Sequence, residues 1–353
     1  MAPARRFSQN PYRDILITYP GEIVMHDNTI RFFSGAAIHA VLSMEKCIEA
    51  MKVAFTALSH GQAVMPVRMR LEMEADNANA LFMPVYIPAI KKVGIKAVTN
   101  NIDNAQRGLP IVHALMMLFD SETGKPLAVM DGEAITAMRT GAVSGLATSL
   151  LARSDARTAA IIGTGTQGET QLEAVCTVRE ITTAYVFDRD AEKSRAFAEK
   201  MGPRLGIQIL TAESPDAIED ADVICTATPS RTPVFDHSLL KKGVHINGVG
   251  SYKPDMIEIP YETIAAAKVV VDHVQGCLVE AGDLVQPMQQ GIITQDHIHG
   301  ELGDVVTGKI SARENDEETT VFKSVGVAVQ DLACADLVLR MAQRQKLGTP
   351  LKL

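Results

Sequence analysis

Residues 158–188 read TAAIIGTGTQGETQLEAVCTVREITTAYVFD. A short apolar run leads straight into Gly163-Thr164-Gly165-Thr166-Gln167-Gly168, which opens a helical stretch, and a second apolar run ends on Asp188. Alone, the G-x-G-x-x-G spacing is a weak signal, because glycine runs are common in loops. Between a strand and a helix each glycine acquires a reason. The first makes the tight turn, the second lets backbone approach a pyrophosphate, and the third lets helix and strand pack closely. The helix N-terminus then faces the phosphate charge. A carboxylate at Asp188 can accept both adenosine ribose hydroxyls, which favours NAD(H). Arg189 beside it could pair with a 2′-phosphate, so NADP(H) stays open as a second cofactor.

Working outward, further short β-rich runs alternate with helical patterns after Thr158: IQILTA, DVICTAT, VHINGVG and KVVVDH. That alternation indicates βαβ units and a parallel sheet. Before Asp131 the texture differs. Residues 43–59 carry apolar groups at helical spacing, whereas residues 64–74 (VMPVRMRLEME) alternate, with Met65, Val67, Met69, Leu71 and Met73 opposite Arg68, Arg70, Glu72 and Glu74. LFMPVYIP and VGIKAVT read as strands, and residues 116–131 as two strands joined by a Gly-containing turn. Residues 133–152, rich in Ala, Gly, Ser and Thr, read as a closely packed helix, and the chain from about Val321 as a loop or strand before a long amphipathic helix. The fold expected is α/β: a Rossmann doubly wound parallel sheet plus a mainly antiparallel α+β substrate-binding and dimerisation domain. The boundaries expected are 1–135, completed by 323–353, and 136–322 for the dinucleotide-binding part. Residues before about 20 read as a loosely held arm.

At 353 residues with 46% hydrophobic content, disorder and fibrous classes are excluded. The net charge of -8 argues against a dedicated nucleic-acid binder. Cys47, Cys176, Cys225, Cys277 and Cys334 form no Cys-x-x-Cys pair, so neither a disulfide framework nor a structural zinc site is indicated, and free buried thiols are expected. Arg5 and Arg6 are not followed by an apolar signal region, and no apolar run approaches the ~18 residues of a membrane span. A cytoplasmic protein without membrane contact is the expectation.

Together with the glycine turn, a series of motifs resembles the ornithine cyclodeaminase/μ-crystallin family, on the branch of alanine dehydrogenases, ketimine reductases and pyrroline-2-carboxylate reductases. They are PVR at 66–68, GIK at 94–96, RGLP at 107–110, LFDSETGKPLAVMDG at 118–132 and AMRTGAVS at 137–144. EAGDL at 280–284, GEL at 300–302 and FKSVG at 322–326 complete the series. The resemblance implies a two-domain subunit, a homodimer formed through the N-terminal sheet, and a small 2-imino or 2-amino acid bound against the nicotinamide. It assigns carboxylate and imine contacts to Arg68, Lys96 and Arg139. It assigns diphosphate contacts to Thr166 and Gln167, and a cofactor-lining position to Thr228. Val249, Gly250 and Ser324 resemble the loops that close around the nicotinamide. Elementary chemistry agrees with the cation set, because a planar guanidinium fixes a carboxylate bidentately and orients the carbon to be reduced.

Two departures from the cyclodeaminase pattern bear on the reaction. Tyr252 stands where cyclodeaminases carry an Asp that serves as acid/base, and Leu81 takes the place of a Glu. Deamination with ring closure needs such a carboxylate, whereas hydride transfer does not. Ile111 is a smaller departure, replacing a Thr. The reading is NAD(P)H-dependent reduction of small 2-imino acids, reversible as an amino-acid dehydrogenase. An ornithine cyclodeaminase is the first rival, and a non-catalytic NADPH- and ligand-binding protein of the μ-crystallin kind the second. Other candidates read as structural. His113 is expected to be a satisfied core residue, Arg70 a solvated charge, and Asp296-His297-Ile298-His299-Gly300-Glu301 a loop rather than a metal site.

Overall fold

A computed structural model describes residues 29–352, so the N-terminal arm lies outside the described residues. The first sheet takes in β1 (Thr29–Phe33), β2 (Met69–Met73), β3 (Ala78–Ile87), β4 (Lys92–Asn101), β5 (Val112–Asp120) and β6 (Pro126–Asp131). The second takes in β7 (Thr158–Ile162), β8 (Thr183–Phe187), β9 (Gln208–Thr211), β10 (Val223–Thr226), β11 (His245–Gly248), β12 (Lys268–Val271), β13 (Ile298–Glu301) and β14 (Thr320–Lys323). The last strand, β15 (Thr349–Lys352), returns to the first sheet, whose order is β15-β1-β6-β5-β4-β3-β2. All of its ladders are antiparallel except β1 with β6.

The second sheet is wholly parallel, with order β13-β12-β14-β11-β10-β7-β8-β9. The strand order reverses between β7 and β10, which leaves a crevice at their carboxyl ends. Both faces are covered, so alternate residues of one strand enter different cores. Ala160, Ile162 and Ile224 feed one cluster, while Ala159, Ile161, Val223 and Cys225 feed the other. Two-sided burial is why these strands read as continuous apolar runs.

The helix Gly132–Leu151 links the sheets. Asp131 caps it, accepting from the backbone N–H of Glu133 at 2.9 Å and of Ala134 at 3.0 Å, which accounts for the change of texture there. Sixteen of its twenty residues are buried, so it must be packed on nearly every side. Glycine makes that possible: a Cβ at Gly141 would lie 2.5 Å from the Thr170 carbonyl oxygen. The C-terminal helix Ala328–Arg344 lies against β3, β4 and β5 of the first sheet.

Three expectations need correction. The alternating stretch 64–74 is a strand only over Met69–Met73, with one isolated bridge from Val64 to Tyr86, because Pro66 brings no N–H to a ladder. Residues 298–301, read as loop, form the edge strand β13, whose pairing with β12 overrides its polar composition. His113 is not in the core. It sits exposed on β5 with its ring 3.3 Å from Glu133. Its row across the sheet continues through Thr99, which is also exposed. Of the five thiols, four are buried and Cys176 is half-buried; Cys47 and Cys334 lie 3.6 Å apart across two helices.

Candidate active site

The glycine turn shows three separate reasons for its three glycines. Gly163 has φ +98°, and a Cβ there would lie 2.6 Å from the Ala227 carbonyl oxygen. At Gly168 a Cβ would fall on the carbonyl oxygen of Gly163, so helix and turn could not approach. At Gly165 a Cβ would meet nothing within 4 Å; here the backbone faces open space. The helix Thr166–Val178 begins at that point with no side chain capping it, which leaves its first N–H groups for an anion. Gln167 adds a buried amide oxygen with no hydrogen-bond partner.

Asp188 ends the second strand as expected. One of its oxygens accepts from the Thr164 N–H at 3.1 Å and the Thr164 hydroxyl at 3.0 Å, and the other from the Asp190 N–H at 3.1 Å. Burial alone would raise its pKa, but these hydrogen bonds outweigh burial and hold it below the usual carboxylate range. Arg189 beside it is exposed. The turn, the uncapped helix and the ionised carboxylate together fit a dinucleotide.

Thr228, Val249, Gly250 and Ser324 all lie just beyond the carboxyl ends of β10, β11 and β14, which are consecutive neighbours next to β7. They therefore share one edge of the sheet with the glycine turn. Behind them stand two carboxylates that the sequence did not reveal. Glu258 accepts from the loop of Thr228 and from that of Gly250. Asp272 accepts from the Ser324 hydroxyl at 2.7 Å and from the N–H groups of Val325 and Gly326.

Arg68, Lys96 and Arg139 come from three separate segments and meet beside the Ser324–Gly326 loop. Lys96 is on β4, paired with Met83 on β3 and Met116 on β5, both buried, so its side chain leaves an apolar face. Its Nζ donates to Asp331 at 2.8 Å and to the Thr136 hydroxyl at 3.3 Å. Arg139 donates from Nε to the same Asp331 at 3.0 Å and from Nη1 to Gln330 Oε1 at 2.7 Å. Its guanidinium lies on Gly326, which has φ +80° and where a Cβ would stand 2.6 Å from Nη1. Arg68 precedes β2, pairs with Glu280 and reaches the Val325 carbonyl at 3.5 Å.

Burial depresses the Lys96 pKa to about 8, with Asp331 opposing the shift and Arg139 adding to it. Burial also lowers that of Arg68. Each guanidinium is thus already engaged by a protein side chain, a point the sequence reading did not anticipate. Asp331, Gln330 and Glu280 are the residues it missed. The available signal was an adjacent Gln-Asp pair inside the apolar run VAVQDLACADLVL, where uncharged neighbours imply burial and burial implies partners.

The remaining candidates lie elsewhere. Arg70 is at the surface with Glu72. Tyr252 is 46% exposed in the loop after Gly250, and Leu81 is half-buried on β3 opposite Arg70 and Val98. His297 and His299 bond the carbonyls of Ile264 and Ser311, and no group of three or more His, Cys, Asp or Glu among the described residues is placed to hold a metal. No helix among them is long and apolar enough to cross a membrane.

The family model for the ornithine cyclodeaminase/mu-crystallin family matches residues 30–346. A Bacillus cereus Δ(1)-pyrroline-2-carboxylate reductase is 39% identical over 314 residues, covering 88% of this chain and 96% of its own. Among solved structures, the Thermococcus litoralis Δ(1)-pyrroline-2-carboxylate reductase in complex with NADH and L-proline has 42% identity and a TM-score of 0.88, over 91% of this chain and 99% of its own. An archaeal alanine dehydrogenase dimer with bound NAD has 33% identity and a TM-score of 0.87, over 92% and 99%. With the dinucleotide turn, the converging cations and this coverage in agreement, the chain belongs to the ornithine cyclodeaminase/mu-crystallin family.

Proposed function

We propose that this protein reduces small 2-imino acids with NADH, with Δ1-pyrroline-2-carboxylate as the favoured substrate and proline as its product. The observation that carries the reading is the meeting of Arg68 and Arg139 at the Ser324–Gly326 loop, with Lys96 joined to Arg139 through Asp331, at the edge of the sheet that bears the glycine turn. The choice of substrate follows the reductase relatives. When bound, the dinucleotide supplies the hydride.

The chain's own groups do the rest. The guanidinium N–H donors of Arg68 and Arg139 not engaged by protein hold the substrate carboxylate and orient the imine carbon. Lys96, an ammonium at neutral pH with its pKa lowered to about 8, is poised to give a proton at the imine nitrogen. Asp331 keeps Lys96 and Arg139 at fixed distance from one another. Tyr252 offers no carboxylate for deamination with ring closure, so net reduction is favoured over cyclodeamination. Thr166 and Gln167 serve the diphosphate and Asp188 the ribose, with NADH preferred to NADPH.

In this reading the first sheet carries Lys96 on one face and the dimer contact on the other. Met69, Phe82, Ala97 and Leu115 form one row across β2 to β5, and its ends are 65% and 49% exposed. A second copy of the chain would cover that face as a homodimer. A cytoplasmic location belongs to the same proposal and rests on composition.

The test is redox balance. Purified protein given Δ1-pyrroline-2-carboxylate should oxidise one NADH per proline formed. Release of ammonia from L-ornithine with catalytic NAD and no NADH accumulation would replace the reductase with a cyclodeaminase.

A further inference from the structure

Glu258 is fully buried, yet it lies among backbone donors from two different loops. Its Oε1 accepts from the Thr228 N–H at 2.6 Å and the Thr228 hydroxyl at 2.8 Å. Its Oε2 accepts from the N–H groups of Gly250 at 2.7 Å and Ser251 at 3.0 Å. Burial pushes the Glu258 carboxyl up, and the nearby Lys323 ammonium opposes that push. Three of the four partners are backbone N–H groups that can only donate, a set that favours the carboxylate, while the Thr228 hydroxyl can donate or accept. Behind it Lys323 and Asp283, both fully buried, stand 2.8 Å apart, and the Asp283 carboxylate adds to the upward push on Glu258. Asp283 in turn accepts from the backbone N–H of Glu258 at 2.7 Å.

The two loops are pressed together at this point. A Cβ on Gly250 would sit 2.5 Å from Glu258 Oε1 and would also collide with the Thr228 backbone. Small displacement of either loop therefore costs several hydrogen bonds to a fully buried carboxyl group at once.

We propose that Glu258 is a positioning residue that staples the Thr228 loop to the Gly250 loop and so fixes the surface on which the nicotinamide ring lies. The inference rests on the reading that these loops face the nicotinamide. Glu258 touches neither reactant; it acts through Thr228, Gly250 and Ser251. Ring placement within a fraction of an ångström governs hydride transfer, so a loosened staple should be felt at the nicotinamide half of the cofactor and not at the adenosine half, which the glycine turn and Asp188 hold.

That asymmetry sets the experiment. In Glu258→Gln the amide NH2 must face donors on one of the two loops, so the loops part. By calorimetry, the variant should bind NADH about tenfold or more weaker, while its affinity for ADP-ribose, which lacks the nicotinamide, stays within about twofold. Equal weakening of both ligands would reduce Glu258 to general scaffold, and no weakening of either would remove it altogether; both results overturn the proposal.

Val249→Trp separates the proposal from the reading beneath it, since a bulky ring before the loops should block NADH and spare ADP-ribose. If that variant binds NADH normally, the placement of the nicotinamide is wrong. If it blocks NADH while Glu258→Gln does not, the staple alone fails. Should Glu258→Gln not fold, amide hydrogen exchange in the unaltered apoprotein decides. The Thr228, Gly250 and Ser251 amides should be protected like those of β11, and exchange at the rate of the exposed Asp255 amide would overturn the staple.

Discussion

At the Gly163–Gly168 turn the chemistry is made by backbone, and at Asp331 it is made by side chains. The turn, the helix it opens and Asp188 fall within one βαβ unit, and Gly163 and Gly168 are required by contacts with that unit or the adjoining β10 loop, while Gly165 faces open space. The Asp331 cluster gathers a lysine from β4, an arginine from the connecting helix and a carboxylate from the C-terminal helix. The first kind of site tolerates change in its side chains but not in its backbone. The second depends on one buried carboxylate shared by two cations, so removing that carboxylate strands both. In the proposed reaction, substrate chemistry therefore sits on the more fragile of two constructions.

The sharpest way to break that contrast is Asp331→Ala. With the shared counter-charge gone, two buried cations face each other, and we expect a loss of about 3–5 kcal/mol of stability in urea unfolding, together with loss of imine reduction. A change below about 1 kcal/mol would mean that Lys96 and Arg139 find other partners and that the cluster is more forgiving than argued. Lys96→Ala should be gentler on the fold. Its kcat for reduction should fall about 10²–10⁴-fold while the NADH dissociation constant stays within about twofold, because the lysine serves the imine and not the dinucleotide.

The pH profile sharpens the same point without a mutation. A proton donor whose pKa is lowered to about 8 is charged below that pH and neutral above it. The kcat for reduction should thus be flat through neutrality and fall about tenfold per pH unit above about 8. A flat profile to about pH 9.5 would remove Lys96 as the donor. The smallest effect belongs to the backbone-built region. NADH should be preferred to NADPH by about tenfold, about 1.4 kcal/mol, and Asp188→Ser should narrow that preference. Faster turnover with NADPH in the unaltered protein would show that Arg189 governs the ribose site.

The same contrast explains what could be read from the sequence. Thr228, Val249, Gly250 and Ser324 were named through the family resemblance, and the structure places all four just beyond the carboxyl ends of neighbouring parallel strands, which share one edge. Arg68, Lys96 and Arg139 were legible only through their motifs, since nothing in local periodicity says that a lysine on a strand points inward. What Asp331, Glu258 and Asp272 bind was not legible. Their partners lie on other elements, and a carboxylate in an apolar segment looks the same whether it holds a loop or a lysine. His113 misled for the converse reason: alternation fixes which residues share a face of β5, but not which face the rest of the molecule covers.

Lys96 and Asp331 are separated by 235 residues. At about 5–20 residues per second, a ribosome delivers the carboxylate roughly 10–50 s after the lysine. β14 is equally late, and it lies between β11 and β12 in the interior of the parallel sheet. A growing chain thus carries a slot in its sheet and an uncompensated ammonium until the final stretch emerges, and activity must arise in one late event instead of building up with length.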